Sequence, residues 1–289
     1  MIHILIPFDF SQRALEALEF ATKLSFKYDS LQLTLLHVVE YPLNVSVGTL
    51  GGGIDPLTDY QHQVYFKELT ALRKVELDKL KKHYLSQNFQ LNTRIEIGVV
   101  FREISQVIEE LQPDLIVMGS SGAAGWEEIW IGSTTEKVVR TAPCPVLTIK
   151  GATDPRQIKK IIFASNFIGI TKEVAARIKS MQHLFDAKFH FVYVNTPGEF
   201  KSTREVSTQI SNFMEEFHFE NLPYEIYNSL TEEAGILEFA SDIGADLIAM
   251  TTQGRTGFLH LLTGSIAEDV VNHSNRPIWT LKTPEADRK

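Results

Sequence analysis

Short apolar runs and amphipathic stretches alternate along the whole chain. In the first cycle, residues 2–8 form an apolar run of strand length, Ser11 can cap a helix, and apolar residues then recur at helical spacing as far as Leu24. Runs that are apolar throughout are expected of parallel strands that are covered by helices on both faces of a sheet. The pattern therefore predicts an α/β fold.

The same cycle predicts five strands in each half of the chain, with helices between them. The strands are expected at residues 2–8, 31–39, 91–99, 115–118 and 146–149, then at 160–164, 188–194 and 224–227, with two more in 245–281. The later helices are expected at residues 61–86, 103–111, 172–185, 205–219 and 232–243, and after Ser133 and its counterpart Ser265. Residues 91–99 alternate between apolar and polar, which is typical of a less buried edge strand. Residues 40–59 are predicted to form a glycine-containing loop.

The last segment of each half is a repeat. Residues 113–149 and 245–281 align without a gap at an offset of 132 residues. The matched pairs are Asp114 and Asp246, Gly122 and Gly254, Gly132 and Gly264, Ser133 and Ser265, and Pro145 and Pro277. We therefore expect two tandem, doubly wound, five-stranded parallel-sheet domains of Rossmann-like type. Their predicted bounds are 1–150 and 158–282, with a linker at 151–157 and a disordered tail at 283–289.

Composition and charge narrow the class of protein. The chain has 289 residues, of which 44% are hydrophobic and 22% charged, as in a soluble globular protein. Each half carries 14 basic and 18 acidic residues, so the net charge of −8 divides evenly. No basic region is available for nucleic acid or an anionic membrane, and no apolar run has the length of a transmembrane helix. A single cysteine, Cys144, favours a reducing compartment, and we expect a cytoplasmic protein.

The repeat contains a glycine pattern that is typical of phosphate binding. In the first half, Gly119 and Gly122 are followed after nine residues by Gly132, Ser133 and Thr134. Glycines let backbone amides approach a phosphate, and the start of a helix favours negative charge. A tight strand-to-helix connection also needs glycines, so the spacing alone supports both interpretations about equally.

The first strand, the DLIVMGSSG run, the GSTTEKVVRTAPCPVLTI tail and their second copies resemble the universal stress protein family, over nearly the whole chain. The resemblance implies that ATP, with or without Mg²⁺, binds where the first, second and fourth strands end and along the glycine loop. The positions it implies are Pro7, Asp9, Val38, Met118, Gly119, Gly122, Gly132, Ser133 and Thr134. In the second half the candidates are Asn166, Gly254, Arg255, Gly264 and Ser265.

The two halves depart from the family pattern in different ways. The first half has Ala123 where the family usually has a basic residue, and so it lacks one charge-assisted phosphate contact. The second half has Arg255 there, but Thr251 replaces the first glycine and Asn166 replaces Asp9. Because threonine is costly wherever a glycine has positive φ, we expect the first half to be the better nucleotide site.

Other roles for single residues stay open. Asp9 can cap the following helix, His37 is expected to be a core histidine, and Cys144 is expected to be structural. No cluster of histidine and cysteine has metal-ligand spacing, so no structural metal is predicted, and no P-loop motif is present.

Three functions are compatible with the sequence. The first is an ATP-binding regulatory protein of the stress response, the second an interaction scaffold that binds no nucleotide, and the third a slow ATPase or phosphotransferase. We expect no enzyme, because no general base lies beside the glycine loop, although the pattern leaves weak ATPase activity open. The two halves are expected to pair through strands 146–149 and 277–281 as an internal pseudo-dimer, with or without a further homodimer.

Overall fold

The computed structural model describes residues 1–28, 30–40, 56–84, 88–120, 132–219, 221–253 and 266–283. The strands are β1 (Ile2–Pro7), β2 (Leu31–Glu40), β3 (Gln90–Gly98), β4 (Leu115–Ser120), β5 (Val146–Lys150), β6 (Lys160–Ala164), β7 (Lys188–Asn195), β8 (Tyr224–Asn228), β9 (Leu247–Gln253) and β10 (Ile278–Thr283). The α-helices are α1 (Gln12–Lys23), α2 (Pro56–His83), α3 (Val100–Leu111), α4 (Ser133–Thr141), α5 (Lys172–Phe185), α6 (Thr203–Glu216), α7 (Glu232–Asp242) and α8 (Ile266–His273).

The ten strands form one continuous sheet in the order β3-β2-β1-β4-β5-β10-β9-β6-β7-β8. Neighbouring strands are parallel everywhere except at β5 and β10, which pair antiparallel where the two halves meet. The predicted α/β class with two Rossmann-like halves is confirmed. The predicted pairing of the last strand of each half is also confirmed, and it merges the two five-stranded sheets into one.

Local sequence explains where several helices begin. The Ser11 hydroxyl accepts a hydrogen bond from the Ala14 amide at 3.2 Å, as its position before α1 predicted. Thr171 caps α5 and Thr231 caps α7 in the same way, and Ser202 forms a capping box with Glu205 at the start of α6. The caps lie at the carboxyl ends of the preceding strands or just beyond them, so they fix how each helix leaves the sheet.

Helices cover both faces of the sheet. On one face, α1 and α5 pack over the seam between the halves, and the rings of Phe20 and Phe185 lie 6.4 Å apart across it. On the other face, α3 and α4 cover the first half, and α7 and α8 cover the second. The outer edges of the sheet are β3 and β8, so the edge position predicted for residues 91–99 is confirmed.

Two threonines link the halves reciprocally at the seam. The Thr148 hydroxyl donates to the Ile278 carbonyl, and the Thr280 hydroxyl donates to the Val146 carbonyl, both at 3.3 Å. The two donors are 132 residues apart, as are the two acceptors, so the pair follows the twofold relation of the repeat. Both threonines are buried, and each hydroxyl therefore has its partner inside the seam.

The first aspartate of each copy of the repeat has a structural role at the amino ends of the strands. Asp114 accepts a hydrogen bond from the His3 amide, and Asp246 accepts from the amides of Lys159 and Lys160. These contacts tie β4 to β1 and β9 to β6 at the amino ends of the strands.

Within the described ranges, no helix has the length and apolar character needed to cross a bilayer.

Candidate functional site

Three predicted residues lie on one face of the sheet where neighbouring strands end. Pro7 is the last residue of β1, Val38 lies near the end of β2, and Met118 lies near the end of β4. Because side chains alternate along a strand, all three face the layer that contains α3 and α4, where Met118 is buried and Val38 packs at the margin. The sheet order β2-β1-β4 places them side by side. The structure thus brings them together as an apolar patch.

Asp9 lies just beyond this patch and is exposed. Its carboxylate accepts a hydrogen bond from the Ser11 amide at 3.0 Å, whereas the helix cap itself is the Ser11 hydroxyl. Asn166 makes the same contact with the Ile168 amide at 3.1 Å. Both copies therefore use an oxygen at this position to turn the chain after the strand, and this role does not require the charge of an aspartate.

The residue after Asp9 has a backbone conformation that its side chain does not favour. Phe10 has φ 65°, and the equivalent Phe167 in the second half has φ 57°. The Phe10 ring makes an edge contact with His37 at 4.9 Å and lies under the guanidinium of Arg73 at 4.8 Å. This packing holds a strained turn in place at the end of β1.

His37 is a core histidine, as expected. It is 8% exposed, and its Nδ1 lies 2.8 Å from the Phe8 carbonyl oxygen. Burial lowers the pKa of His37 below its ordinary value. The hydrogen bond joins β2 to the end of β1, so the histidine supports the turn at Asp9 and Phe10.

Gly119 has a steric role that differs from the one expected. A Cβ built on Gly119 would lie 2.2 Å from the Arg13 carbonyl oxygen in the first turn of α1. Gly119 lies within β4, and its φ is not positive. The expectation that threonine is disfavoured here by positive φ was therefore wrong. The glycine is required because α1 packs directly on the strand.

The second half accommodates Thr251 at the equivalent position because its helix starts later. Three additional residues, 168–170, separate the turn after β6 from the Thr171 cap of α5. Thr251 is half-buried, and its hydroxyl lies 3.5 Å from that of Ser165. Replacement of the first glycine thus reflects a different helix position and does not by itself disrupt the second half.

The start of α4 is exposed to solvent on the side of the sheet where the parallel strands of the first half end. Gly132 is the N-cap residue and supplies no side-chain cap, and Ser133 and Thr134 form the first turn. Gly132 and Ser133 are exposed, and a Cβ on Gly132 would meet nothing within 4 Å. Amides in the first turn of a helix are oriented to bind an anion. Gly122, Gly254, Arg255, Gly264 and Ser265 lie outside the described residues.

Two polar residues outside the predicted glycine pattern lie at the carboxyl ends of β4 and β5, the edge of the sheet at which α4 begins. Ser120 ends β4 and is 4% exposed, and its hydroxyl has no hydrogen-bond partner in the described part of the chain. Lys150 ends β5 and is 7% exposed, and its ammonium donates to the Val271 carbonyl at 2.5 Å. Burial, reinforced by the charge of Arg13, lowers the pKa of Lys150 to about 8. In the sequence, a charged residue at the end of an apolar strand, directly after the glycine pattern, is the feature that could have indicated Lys150 as a site residue.

The corresponding edge of the second half is more closely packed. Val194 occupies the position of Val38, and a Cβ on Gly235 of α7 would lie 2.5 Å from its Cγ1. In the first half, the residue equivalent to Gly235 is Glu103, whose carboxylate lies against Gly98 of β3.

The second half also has a groove of about 600 Å³ at the ends of β7 and β8, which is lined by Asn195, Thr196, Pro197, Phe200, Asn228, Ser229 and Leu230.

Cys144 and the acidic residues offer little reactive chemistry. Cys144 is buried, and burial raises the pKa of its thiol to about 12, so the thiol stays protonated at neutral pH. Its environment agrees with the expected structural role.

In the part of the chain that the structure describes, no group of three or more His, Cys, Asp or Glu side chains could hold a metal ion.

Comparison with known proteins identifies the family. Residues 1–150 and 230–282 match the universal stress protein family. The chain belongs to this family. Two universal stress proteins of Methanocaldococcus jannaschii are each 30% identical to about half of this tandem universal stress protein, over 151 and 157 residues. Each alignment covers 51% of this chain, and they cover 81% and 93% of the two relatives.

The fold of the tandem universal stress protein is also found in solved structures. The crystal structure of a universal stress protein from Archaeoglobus fulgidus superimposes with a TM-score of 0.74 over 98% of both chains, at 18% identity. A functionally unknown protein from Pseudomonas aeruginosa superimposes with a TM-score of 0.63 at 20% identity, over 97% of this chain and 92% of its own. At these identities the likeness shows the fold alone, and it extends over both halves.

Proposed function

We propose that the first half binds an adenine nucleotide, foremost ATP, and that the chain is a nucleotide-responsive regulatory protein of the stress response. The observation that carries the proposal is the convergence of the apolar patch at Pro7, Val38 and Met118 with the open start of α4. A nucleotide needs both an apolar surface for its base and donors for its phosphates.

The residues present fit such a ligand. Val38 and Met118 offer apolar contact to the adenosine part, and the Asp9 carboxylate, exposed at the end of β1, can accept from a ribose hydroxyl. The first-turn amides of α4 and the Ser133 hydroxyl would donate to phosphate oxygens. Mg²⁺, when bound with ATP, would neutralise part of the phosphate charge. These residues bind and orient a ligand.

The absence of an enzymatic role is part of the proposal. Among the described residues at this end of the strands, the Asp9 carboxylate accepts from the Ser11 amide, His37 bonds the Phe8 carbonyl, and the Lys150 ammonium donates to the Val271 carbonyl, so each of these groups already has a structural partner. The third function, slow hydrolysis of ATP, is tested by ADP release. Release above the buffer background from protein at micromolar concentration would establish it.

Isothermal titration with ATP, ADP and adenosine tests nucleotide binding directly. We expect one ATP per chain, and we expect Val38→Phe to weaken binding about tenfold or more by filling the adenosine side of the patch. Ile97→Phe, on the exposed edge of β3, is the matched control and should leave affinity unchanged. No heat with millimolar ATP, together with no adenine nucleotide co-purifying with the protein, would contradict the proposal.

A non-nucleotide interaction scaffold is the second candidate, and the packing of Gly119 favours it. Since α1 requires this glycine for steric reasons, one member of the glycine pattern is explained without a ligand. A scaffold of this kind would retain its partners and its assembly state in the Val38→Phe variant. Loss of a cellular phenotype in that variant, in parallel with loss of ATP binding, would exclude the scaffold.

A further inference from the structure

A hydroxyl and an ammonium lie side by side at the carboxyl ends of β4 and β5. Ser120 is paired with Lys150 in the parallel register, and adjacent strands are about 4.8 Å apart. Alternation along the strands places both side chains on the face where Met118 and Val146 pack against α3 and α4. They are 4% and 7% exposed. Two buried polar groups therefore lie side by side at the carboxyl ends of β4 and β5, the edge of the sheet at which α4 begins.

The Ser120 hydroxyl lacks a hydrogen-bond partner within the described residues. Buried hydroxyls are almost always paired, because an unpaired one loses its bond to water without replacement. Gly132, the N-cap residue of α4, makes no side-chain hydrogen bond to the first-turn amides of that helix. A ligand that reaches the start of α4 and accepts a hydrogen bond would complete the site.

The second half repeats this arrangement. Thr252 is the counterpart of Ser120, it is paired in register with Lys282, and its buried hydroxyl also lacks a partner in the described ranges. The side chain changes from serine to threonine, whereas the orphaned hydroxyl and the neighbouring lysine are kept. This repetition argues for a common property of both copies, although their glycine patterns differ.

Lys150 also lies in a positive environment. Its ammonium donates to the carbonyl of Val271 in the last turn of α8, and the charge of Arg13 in the first turn of α1 acts on it. Arg13 and Lys150 thus approach the ends of β4 and β5 from opposite faces of the sheet. An anion bound between the start of α4 and these cations would relieve their repulsion.

We propose that the Ser120 hydroxyl and the Lys150 ammonium form the polyphosphate-binding element of the first-half site, and that Lys150 supplies the positive charge that Ala123 lacks. The inference rests on the proposed nucleotide function for the identity of the ligand. Its own content is narrower: these two side chains bind the phosphate chain of a di- or triphosphate, whether it is esterified to adenosine or free.

Titration of ATP, adenosine and inorganic tripolyphosphate into the full chain tests this inference. We expect Lys150→Gln to weaken ATP and tripolyphosphate at least tenfold, as is typical when a hydrogen bond to a charged group is lost, and Ser120→Ala to weaken them about fivefold. Adenosine affinity should stay within about twofold of wild type, since it lacks phosphates. Lys150→Arg should retain most of the affinity. Lys188→Gln, an exposed lysine at the amino end of β7, is the matched control and should have no effect.

The outcomes separate this inference from the proposed function. Unchanged ATP affinity in both Lys150→Gln and Ser120→Ala would overturn the inference and leave ATP binding intact. Equal losses for ATP and adenosine would assign both residues a purely structural role and would also overturn it. Binding of tripolyphosphate but not ATP, with the expected dependence on Lys150, would support the inference and contradict the adenine proposal. If wild type binds neither, both fail. Should Lys150→Gln not fold, Ser120→Ala and Lys150→Arg decide the matter.

Discussion

The carbonyl oxygen of Arg13 lies where a side chain on Gly119 would begin, because a Cβ at Gly119 would be 2.2 Å from that oxygen. The contact joins the first turn of α1 to the last residues of β4, next to the candidate nucleotide site. The obstructing atoms belong to the backbone, so they cannot move aside as the end of a flexible side chain could. Gly119 thus sets how closely α1 approaches the sheet.

Gly119→Ala should therefore destabilise the protein. Overpacking typically costs about 1–3 kcal/mol, and we expect a value of about 3 kcal/mol here because the helix backbone must shift. The measurement is the free energy of unfolding from urea denaturation. ATP affinity should fall in the same variant, since displacement of α1 moves Arg13 and the end of β4.

Gly132→Ala is the matched control for this prediction. Gly132 has φ −54°, and its added Cβ would meet no atom within 4 Å. The change should cost only about 1 kcal/mol, because alanine is a poorer N-cap residue than glycine but meets no steric obstacle here. If Gly119→Ala is as stable as Gly132→Ala, the close contact with Arg13 does not determine the position of α1.

Much of the fold was predictable from periodicity and from the internal repeat. The apolar runs located β6 at Lys160–Ala164 and α5 at Lys172–Phe185 with the observed bounds. The repeat also predicted which strands meet at the seam, because each half would otherwise end in an unpaired strand. These features depend on local patterns, which a single sequence contains.

The details of the candidate site depend on distances between segments, and these were not predictable. Nothing in the sequence around Gly119 indicates that α1 contacts it, and Phe10 is not a residue type that signals positive φ. The role of residues 168–170 depends on how closely a helix approaches the neighbouring strand in each half, which is a property of the folded chain. Ser120 and Lys150 are 30 positions apart in the chain and become neighbours only through the register of β4 and β5.

A comparison of the two copies predicts a stabilising substitution at the end of α3. Gln112 has φ 44° after this helix, whereas its counterpart Gly244 has φ 61° after α7. Left-handed geometry costs about 1–2 kcal/mol for a residue with a Cβ. The greater conformational freedom of glycine in the unfolded chain offsets about half of the stability that is gained when the Cβ is removed. Gln112→Gly should thus stabilise the protein by about 0.5 kcal/mol, and Gly244→Gln should destabilise it similarly.

Thermal and urea denaturation check these two opposite shifts. Gln112→Ala is the control, because alanine removes the side chain of glutamine but keeps a Cβ in the left-handed region. It should not stabilise the protein. A gain for Gln112→Ala equal to that for Gln112→Gly would show that the backbone angle is not the cause.

The reciprocal threonine bonds at the seam predict equal effects of two distant substitutions. Thr148→Val and Thr280→Val keep the side-chain shape but remove the hydroxyl that donates across the β5–β10 junction. Each should cost about 1 kcal/mol, the usual net value of one hydrogen bond. Thr208→Val removes an exposed hydroxyl that bonds within its own helix, and it should change stability by less than about 0.5 kcal/mol.

Urea denaturation that is followed by far-UV circular dichroism measures these costs, and the shape of the transition adds a second observable. If the seam couples the unfolding of the two halves, the double variant should unfold in two separate transitions under conditions in which each single variant still unfolds in one. A double variant that is as stable as wild type would show that the three paired residues of each strand hold the seam without the hydroxyls.

The buried Lys150 predicts an increase in stability at alkaline pH. Its pKa is lowered from 10.5 to about 8 in the folded chain, first by burial and then by the charge of Arg13. Below pH 8 the lysine is protonated in both the folded and the unfolded chain, so the cost of burying its charge is fully present. Between pH 8 and 10.5 the folded chain releases the proton while the unfolded chain keeps it, so stability rises with pH. The rise should not exceed about 1.4 kcal/mol per pH unit.

Lys150→Met removes this titration and is the reference for the measurement. The free energy of unfolding of wild type minus that of Lys150→Met should become more positive, in the direction of higher stability, between about pH 8 and about pH 10.5. Tripolyphosphate should reduce the rise, because a bound anion favours the charged ammonium and raises its pKa again. An equal pH dependence in wild type and Lys150→Met would show that the lysine titrates as it does in the unfolded chain, and an unaltered rise with tripolyphosphate present would separate Lys150 from the phosphate site.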